Sequence, residues 1–179
     1  MHVEQMNKTK IIAVLGVMAA LSTVLTVLGT VISVNTVFFT AMAAFLVGIV
    51  RNRYGTLYGS IFYAVCAALD FLCNPNPFHV LLYLVLAGYL LLSEILYVIL
   101  PFSKEKKEWI HRAIRFVLFA ICYIPLVVFM PQLFLSDKII RLDWFWPLII
   151  VTGIVAWIVY DIAYGAFKSL FFSRFRKLL

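Results

Sequence analysis

D-F-L-C-N-P-N-P-F-H, residues 70–79, separates two long apolar runs and sets the pattern of the whole chain. Proline removes a backbone donor and fixes φ, and the residue before it is pushed to extended geometry. N-P-N-P therefore stops one helix before the next begins. The stretch also holds a carboxylate, two asparagines and one of only three histidines. Two readings are open from these residues alone: a tight connection between membrane helices, or the rim of a binding pocket.

Composition says what lies on either side. Of 179 residues, 65% are hydrophobic and only 13% charged, and mean hydropathy is +1.05. Soluble domains carry about 25% charged residues. The bilayer core offers no water to loose backbone groups, so apolar runs crossing it form helices or a closed barrel. These runs are long and uninterrupted rather than alternating, which predicts an all-α integral membrane protein with one domain, residues 1–179. Six spans are expected, at 11–34, 36–50, 55–72, 78–100, 110–130 and 145–172. The last exceeds the ~20 residues needed, so it tilts, kinks near Gly153 or projects into the cytoplasm. Arg51-Asn52-Arg53 is read as the end of the second span, and S-K-E-K-K-E as a charged loop before the fifth.

Charge gives orientation. Of the fifteen basic residues, all but Lys138 and Arg141 fall on the termini and alternate loops of one side. The positive-inside rule puts that side, with both termini, in the cytoplasm. The net charge of +7 is then a topology signal and needs no nucleic-acid partner. Asn35, the 74–77 loop and the 136–144 connection face outward.

Few residues can carry chemistry. Three acids lie within spans: Asp70, Glu94 and Asp161. A carboxylate at the centre of a membrane helix costs about 2.5–3.5 kcal/mol, and such residues face a cavity or a partner. Asp70 reads either as a cap near a helix end or as a ligand acceptor beside Asn74, Asn76 and His79. Glu94 is expected to pair with Arg112 or Arg115 on the next helix. Asp161, next to Tyr160, suits a structural partner or a ligand contact equally. Trp144 and Trp146 stand where an aromatic belt forms, and Tyr83 and Tyr123 fall in outer halves of spans; each is open to belt placement or to stacking on a ligand. Aromatics reach 16%, and a ring-lined pocket suits a flat heterocycle better than a sugar.

Span one carries a separate signal. Ala13, Gly16, Ala20 and Thr23 form one face without bulk, which lets helix backbones approach closely in lipid. The face serves packing within the bundle or docking on another membrane subunit. Catalysis finds no support: H-E-x-x-H, G-x-S-x-G and Walker A motifs are absent, and His2, His79 and His111 are too dispersed for a metal site. Cys66, Cys73 and Cys122 form no C-x-x-C and read as small hydrophobes.

The size, the six helices and the small-residue face resemble the substrate-binding S components of energy-coupling factor (ECF) vitamin transporters. K-T-K-I-I-A-V-L-G-V-M-A-A-L, residues 8–21, resembles their first helix, with Gly16-x-x-x-Ala20 in place of the family's alanine pair. F-L-V-G-I-V-R-N-R-Y-G-T-L-Y-G-S, residues 45–60, looks like their second-to-third helix turn, and residues 160–179 resemble their sixth helix and basic tail. The resemblance implies a prokaryotic multi-pass protein of the cell membrane, not itself an enzyme, that captures a vitamin from outside. It also implies a transmembrane coupling subunit docked on Ala13, Gly16, Ala20 and Thr23, and two cytoplasmic ATPases that hydrolyse ATP, with no cofactor on this chain. Ligand is then expected in the outer half, among Asn35, Asp70, Asn74, Asn76, His79, Tyr83, Tyr123, Trp144, Trp146, Tyr160 and Asp161. Asp70, Asp161 and the asparagines favour a neutral or cationic nitrogen heterocycle, such as thiamine or its thiazole or pyrimidine precursor. Lys138 and Arg141 would instead favour a carboxylate or phosphate. The competing reading is a structural or assembly membrane protein without a small ligand.

Overall fold

The computed structural model describes residues 8–32, 36–74, 77–99, 104–129 and 145–175. They form six helices: α1 (Lys8–Val31), α2 (Thr36–Tyr54), α3 (Thr56–Cys73), α4 (Pro77–Ile99), α5 (Lys104–Phe129) and α6 (Phe145–Phe175). In α1, α2, α3, Phe78–Ile99 of α4 and Ile150–Ser173 of α6, the helix is long and apolar enough to cross a membrane. Large apolar side chains also line the outer surface, with Leu72 79%, Val31 75% and Leu57 71% exposed. In water such a surface would drive aggregation; in lipid it is the expected outer face.

Several helix ends differ from the sequence reading. Arg51, Asn52 and Arg53 do not end α2, which continues to Tyr54 and stops at Gly55, whose φ of 94° is left-handed backbone that favours glycine. The charged segment expected as a loop is the first turns of α5, because Lys and Glu are good helix formers. Pro77 begins α4, a first-turn position where its missing N–H matters little.

The chain divides into two compact units, Met1–Ile95 and Leu96–Leu179. In the first, α1, α2 and α3 pack on one another. Residues 43–51 of α2 are buried without interruption, marking it as the central helix. The α1–α2 reversal is tight: the Thr36 hydroxyl donates to the Gly29 carbonyl at 2.8 Å, satisfying an acceptor near the open end of α1. A Cβ at Gly29 would stand 3.3 Å from that of Phe39. At the next reversal, a Cβ on Gly59 would lie 2.5 Å from Arg51 Cβ and 2.9 Å from its Cα. On α4, the Tyr63 hydroxyl donates to the Leu84 carbonyl at 3.1 Å, and the Tyr63 and Tyr83 rings stack with centroids 6.3 Å apart.

Glu94 of α4 meets Arg51 of α2 at 3.5 Å, with both side chains buried. Arg51 is thus a partner of Glu94 that the sequence reading did not name.

In the second unit, α5 and α6 are antiparallel. Arg115 pairs with Asp161 at 2.5 Å, the Phe116 ring meets Trp157 edge-on at 5.2 Å, and Tyr123 lies over Gly153. Positions rise on α5 as they fall on α6. α6 is helical from Phe145 through Gly153 to Phe175. Gly153 is a seat for the Tyr123 ring, whose Cε1 would lie 2.5 Å from an added Cβ.

The two glycines predict different penalties. At Gly59 the obstacle is Arg51 backbone, which cannot swing away, whereas at Gly153 it is the far part of a side chain. Gly59→Ala should lower the melting temperature of the purified protein more than Gly153→Ala, with overpacking costs of about 1–3 kcal/mol at the former. Equal or reversed shifts in parallel melts would contradict this packing.

Candidate functional site

Buried polar groups gather between α1, α3 and α4. α1 presents Ser22 and Thr26 on its buried face, and α3 presents Cys66 and Asp70 on its own. Both pairs are four residues apart, so two parallel helices place them at matching heights, one turn apart. α4 runs back, bringing Tyr83 to the height of Cys66 and His79 to the height of Asp70. One level thus holds Ser22, Cys66 and Tyr83, which lie within electrostatic reach of one another. The other holds Thr26, Asp70 and His79 with Asn74, and the same holds among them.

The outer level is tied to the proline loop. Asn74 follows α3, its backbone N–H donates to the Asp70 carbonyl at 2.9 Å, and its Nδ2 donates to Asp70 Oδ1. Only the amide nitrogen can face a carboxylate oxygen as donor, which fixes the orientation of the Asn74 amide. Asp70 Oδ2 and Asn74 Oδ1 are left without a hydrogen-bond partner although Asp70 is 1% and Asn74 7% exposed. Thr26 stands beside the carboxylate, but its hydroxyl donates to the Thr23 carbonyl at 2.9 Å.

The inner level is also unsatisfied. Ser22 Oγ and Tyr83 OH close no hydrogen bond of ordinary geometry, although they lie beside each other and beside the Cys66 thiol, and both residues are fully buried. Hydroxyls in apolar helices ordinarily bond back to their own backbone. Thr23, Thr30 and Ser93 do so here, at 3.0, 2.6 and 2.9 Å. Ser22 does not. An unpaired buried polar atom costs about 1–3 kcal/mol, and such atoms are rare in folded proteins. Four of them in one column mark a place where a guest with complementary groups gains what the protein alone forgoes.

The other sequence-derived candidates are distributed as follows. Asp70, Asn74, His79 and Tyr83 come together in this column. Tyr123, Tyr160 and Asp161 belong to the second unit, where Tyr160 is buried and Asp161 is engaged with Arg115. The Arg115 guanidinium also lies over the Tyr164 ring at 5.8 Å. Asn35, Asn76 and Trp144 lie outside the described residues, and Trp146 is placed in the first turn of α6 by its backbone alone. Sequence reasoning missed Ser22, Thr26 and Cys66. The matching four-residue spacing of Ser22–Thr26 and Cys66–Asp70 on two helices of the same direction is the signal that identifies them.

On α1, Ala13, Gly16 and Ala20 are exposed, and a Cβ at Gly16 meets no described atom within 4 Å. Thr23 is half-buried with its hydroxyl on the Ala19 carbonyl. Among the described residues no group of three or more His, Cys, Asp or Glu side chains is placed to hold a metal ion. Comparison with protein families, with curated proteins and with solved structures finds no match.

Proposed function

We propose that the chain is the substrate-capturing subunit of an ECF-type vitamin importer, with all six helices crossing the cell membrane and both termini in the cytoplasm. The observation that carries this reading is the buried column with its four unpartnered polar atoms beside the loop after α3. In the proposed orientation the column opens toward the outer side, where a captured nutrient arrives. Its acceptor-rich level around Asp70 suits a nitrogen heterocycle of the thiamine type, including the thiazole or pyrimidine precursor. The exposed small-residue face of α1 offers a transmembrane coupling subunit close backbone approach. Two ATPases bound to that subunit would supply the energy for import.

The test begins with mass spectrometry of small molecules released from the purified protein, followed by calorimetric titration of whatever is found. Asp70→Asn should weaken binding of the released compound about 10- to 150-fold, the equivalent of the 1.5–3 kcal/mol carried by a hydrogen bond to a charged group. The melting temperature without ligand should change little. If Asp70→Asn lowers that melt sharply while affinity holds, Asp70 is a structural cap on α3, and a structural or assembly protein becomes the better reading.

A further inference from the structure

We propose that the buried column is a two-level recognition site for a ligand the size of one heteroaromatic ring. Its N–H-donating, cationic edge meets Asp70 and Asn74, and a second polar substituent meets the Ser22 and Tyr83 hydroxyls one helical turn away. The inference rests on the capture function proposed above, and it adds α1 to the binding site and a chemical class to the ligand.

The free atoms dictate this polarity. At the Asp70 level the two atoms without a hydrogen-bond partner are both acceptors, Asp70 Oδ2 and Asn74 Oδ1; one Asn74 amide N–H lies on Asp70 Oδ1 and the Thr26 hydroxyl on the Thr23 carbonyl. Two unpartnered acceptors side by side match a group that offers two donors, such as an amino substituent beside a protonated ring nitrogen. At the other level Ser22 and Tyr83 bring hydroxyls, each able to donate and to accept, which match an alcohol or an unprotonated ring nitrogen.

Spacing supplies the size. Four residues along α3 separate Cys66 from Asp70, a rise of about 6 Å. That exceeds hydrogen-bond reach, so the two levels cannot satisfy each other directly. A lone cation at Asp70 would leave Ser22 and Tyr83 unpaired, whereas a six-membered ring with substituents at opposite positions spans both. The Tyr83 ring, held against Tyr63, gives such a guest a fixed aromatic neighbour.

The experiment uses the full chain purified in detergent and freed of ligand. Two probes are titrated by calorimetry: an aminopyrimidine carrying a hydroxymethyl group, and the same ring with a methyl group in its place. The unaltered protein should bind the hydroxymethyl compound at least about tenfold more tightly, the equivalent of one buried hydrogen bond. Tyr83→Phe and Ser22→Ala should each reduce that preference and together abolish it, with affinity for the methyl compound kept. Asp70→Asn should weaken both probes and retain the preference. Tyr83→Phe removes only an unpartnered oxygen, but if it fails to fold, Ser22→Ala decides by itself. A preference that survives in Ser22→Ala and in the double variant overturns the second level, while Asp70-dependent binding of both probes leaves the capture function standing. Failure of both probes to bind overturns the ligand class. If a released vitamin of different chemistry still depends on Asp70, that failure does not touch the capture function. Higher melting temperatures in Ser22→Ala and Tyr83→Phe with no change in selectivity would make the column a structural feature and overturn the proposal.

Discussion

Glu94→Gln should destabilise the ligand-free protein by about 3–5 kcal/mol, because it leaves the Arg51 guanidinium buried without its counter-charge. The side chains are 7% and 4% exposed, so solvent screens neither. Arg51 cannot retreat easily, since Gly59 of α3 packs directly against its Cα and Cβ. The guanidinium Nε is already without a hydrogen-bond partner, so removal of the carboxylate charge adds to an existing deficit. Arg51→Met removes the other half of the pair and should also destabilise. The double variant Arg51→Met/Glu94→Leu should recover most of the loss, as replacement of a buried pair by apolar residues is often neutral or stabilising. Denaturant unfolding of the four proteins measures the coupling directly, and additive single effects would show that the two charges do not act as a pair. Ligand affinity should hardly change in Glu94→Gln. Eleven residues separate Glu94 from Tyr83, about 16 Å along α4, which places the pair well away from the column.

Arg51 is a partner of Glu94 that the sequence alone does not reveal. Apolar length determines that helices exist, and each of the six is legible in this way. Their ends are less so: Arg51 follows an apolar run and was read as its terminus, yet arginine is a good helix former, and the stop comes only at Gly55. With α2 ended at Val50, Arg51 falls in a connection, and nothing points to it as a partner for an acid 43 positions away. The site divides similarly. Asp70, Asn74, His79 and Tyr83 are conspicuous because carboxylates, amides and imidazoles are scarce in this chain. Ser22 is inconspicuous, since a serine in an apolar helix normally bonds its own backbone, and only the packing of α1 on α3 reveals that it does not. The small-residue face of α1 was legible as a pattern, but whether it lies inside the bundle or outside depends on which side of the helix the neighbours occupy.

That question leads to the other large effect. On the proposed import function, Gly16→Trp should abolish co-purification with the proposed coupling subunit and uptake in cells, while the isolated protein still folds and binds the compound released from it. α1 has two faces with small side chains. Ala19, Ser22, Thr26 and Gly29, together with Met18, are buried against the rest of the chain. Gly16 lies about 120° around the helix from Ser22, at about 100° per residue. A Cβ there meets no described atom within 4 Å, so this chain has room for bulk at that position. A coupling subunit docked on Ala13, Gly16 and Ala20 would have none, because association in lipid relies on backbone approach across small residues, and an indole forces the two helices apart. Size-exclusion chromatography, ligand calorimetry and uptake then separate the cases. Loss of assembly and uptake with folding and binding intact assigns the face to a partner. Assembly that survives Gly16→Trp would remove this face from the interface. If the isolated variant failed to fold, Gly16 would belong to the internal packing of the chain, and docking would have to use another surface.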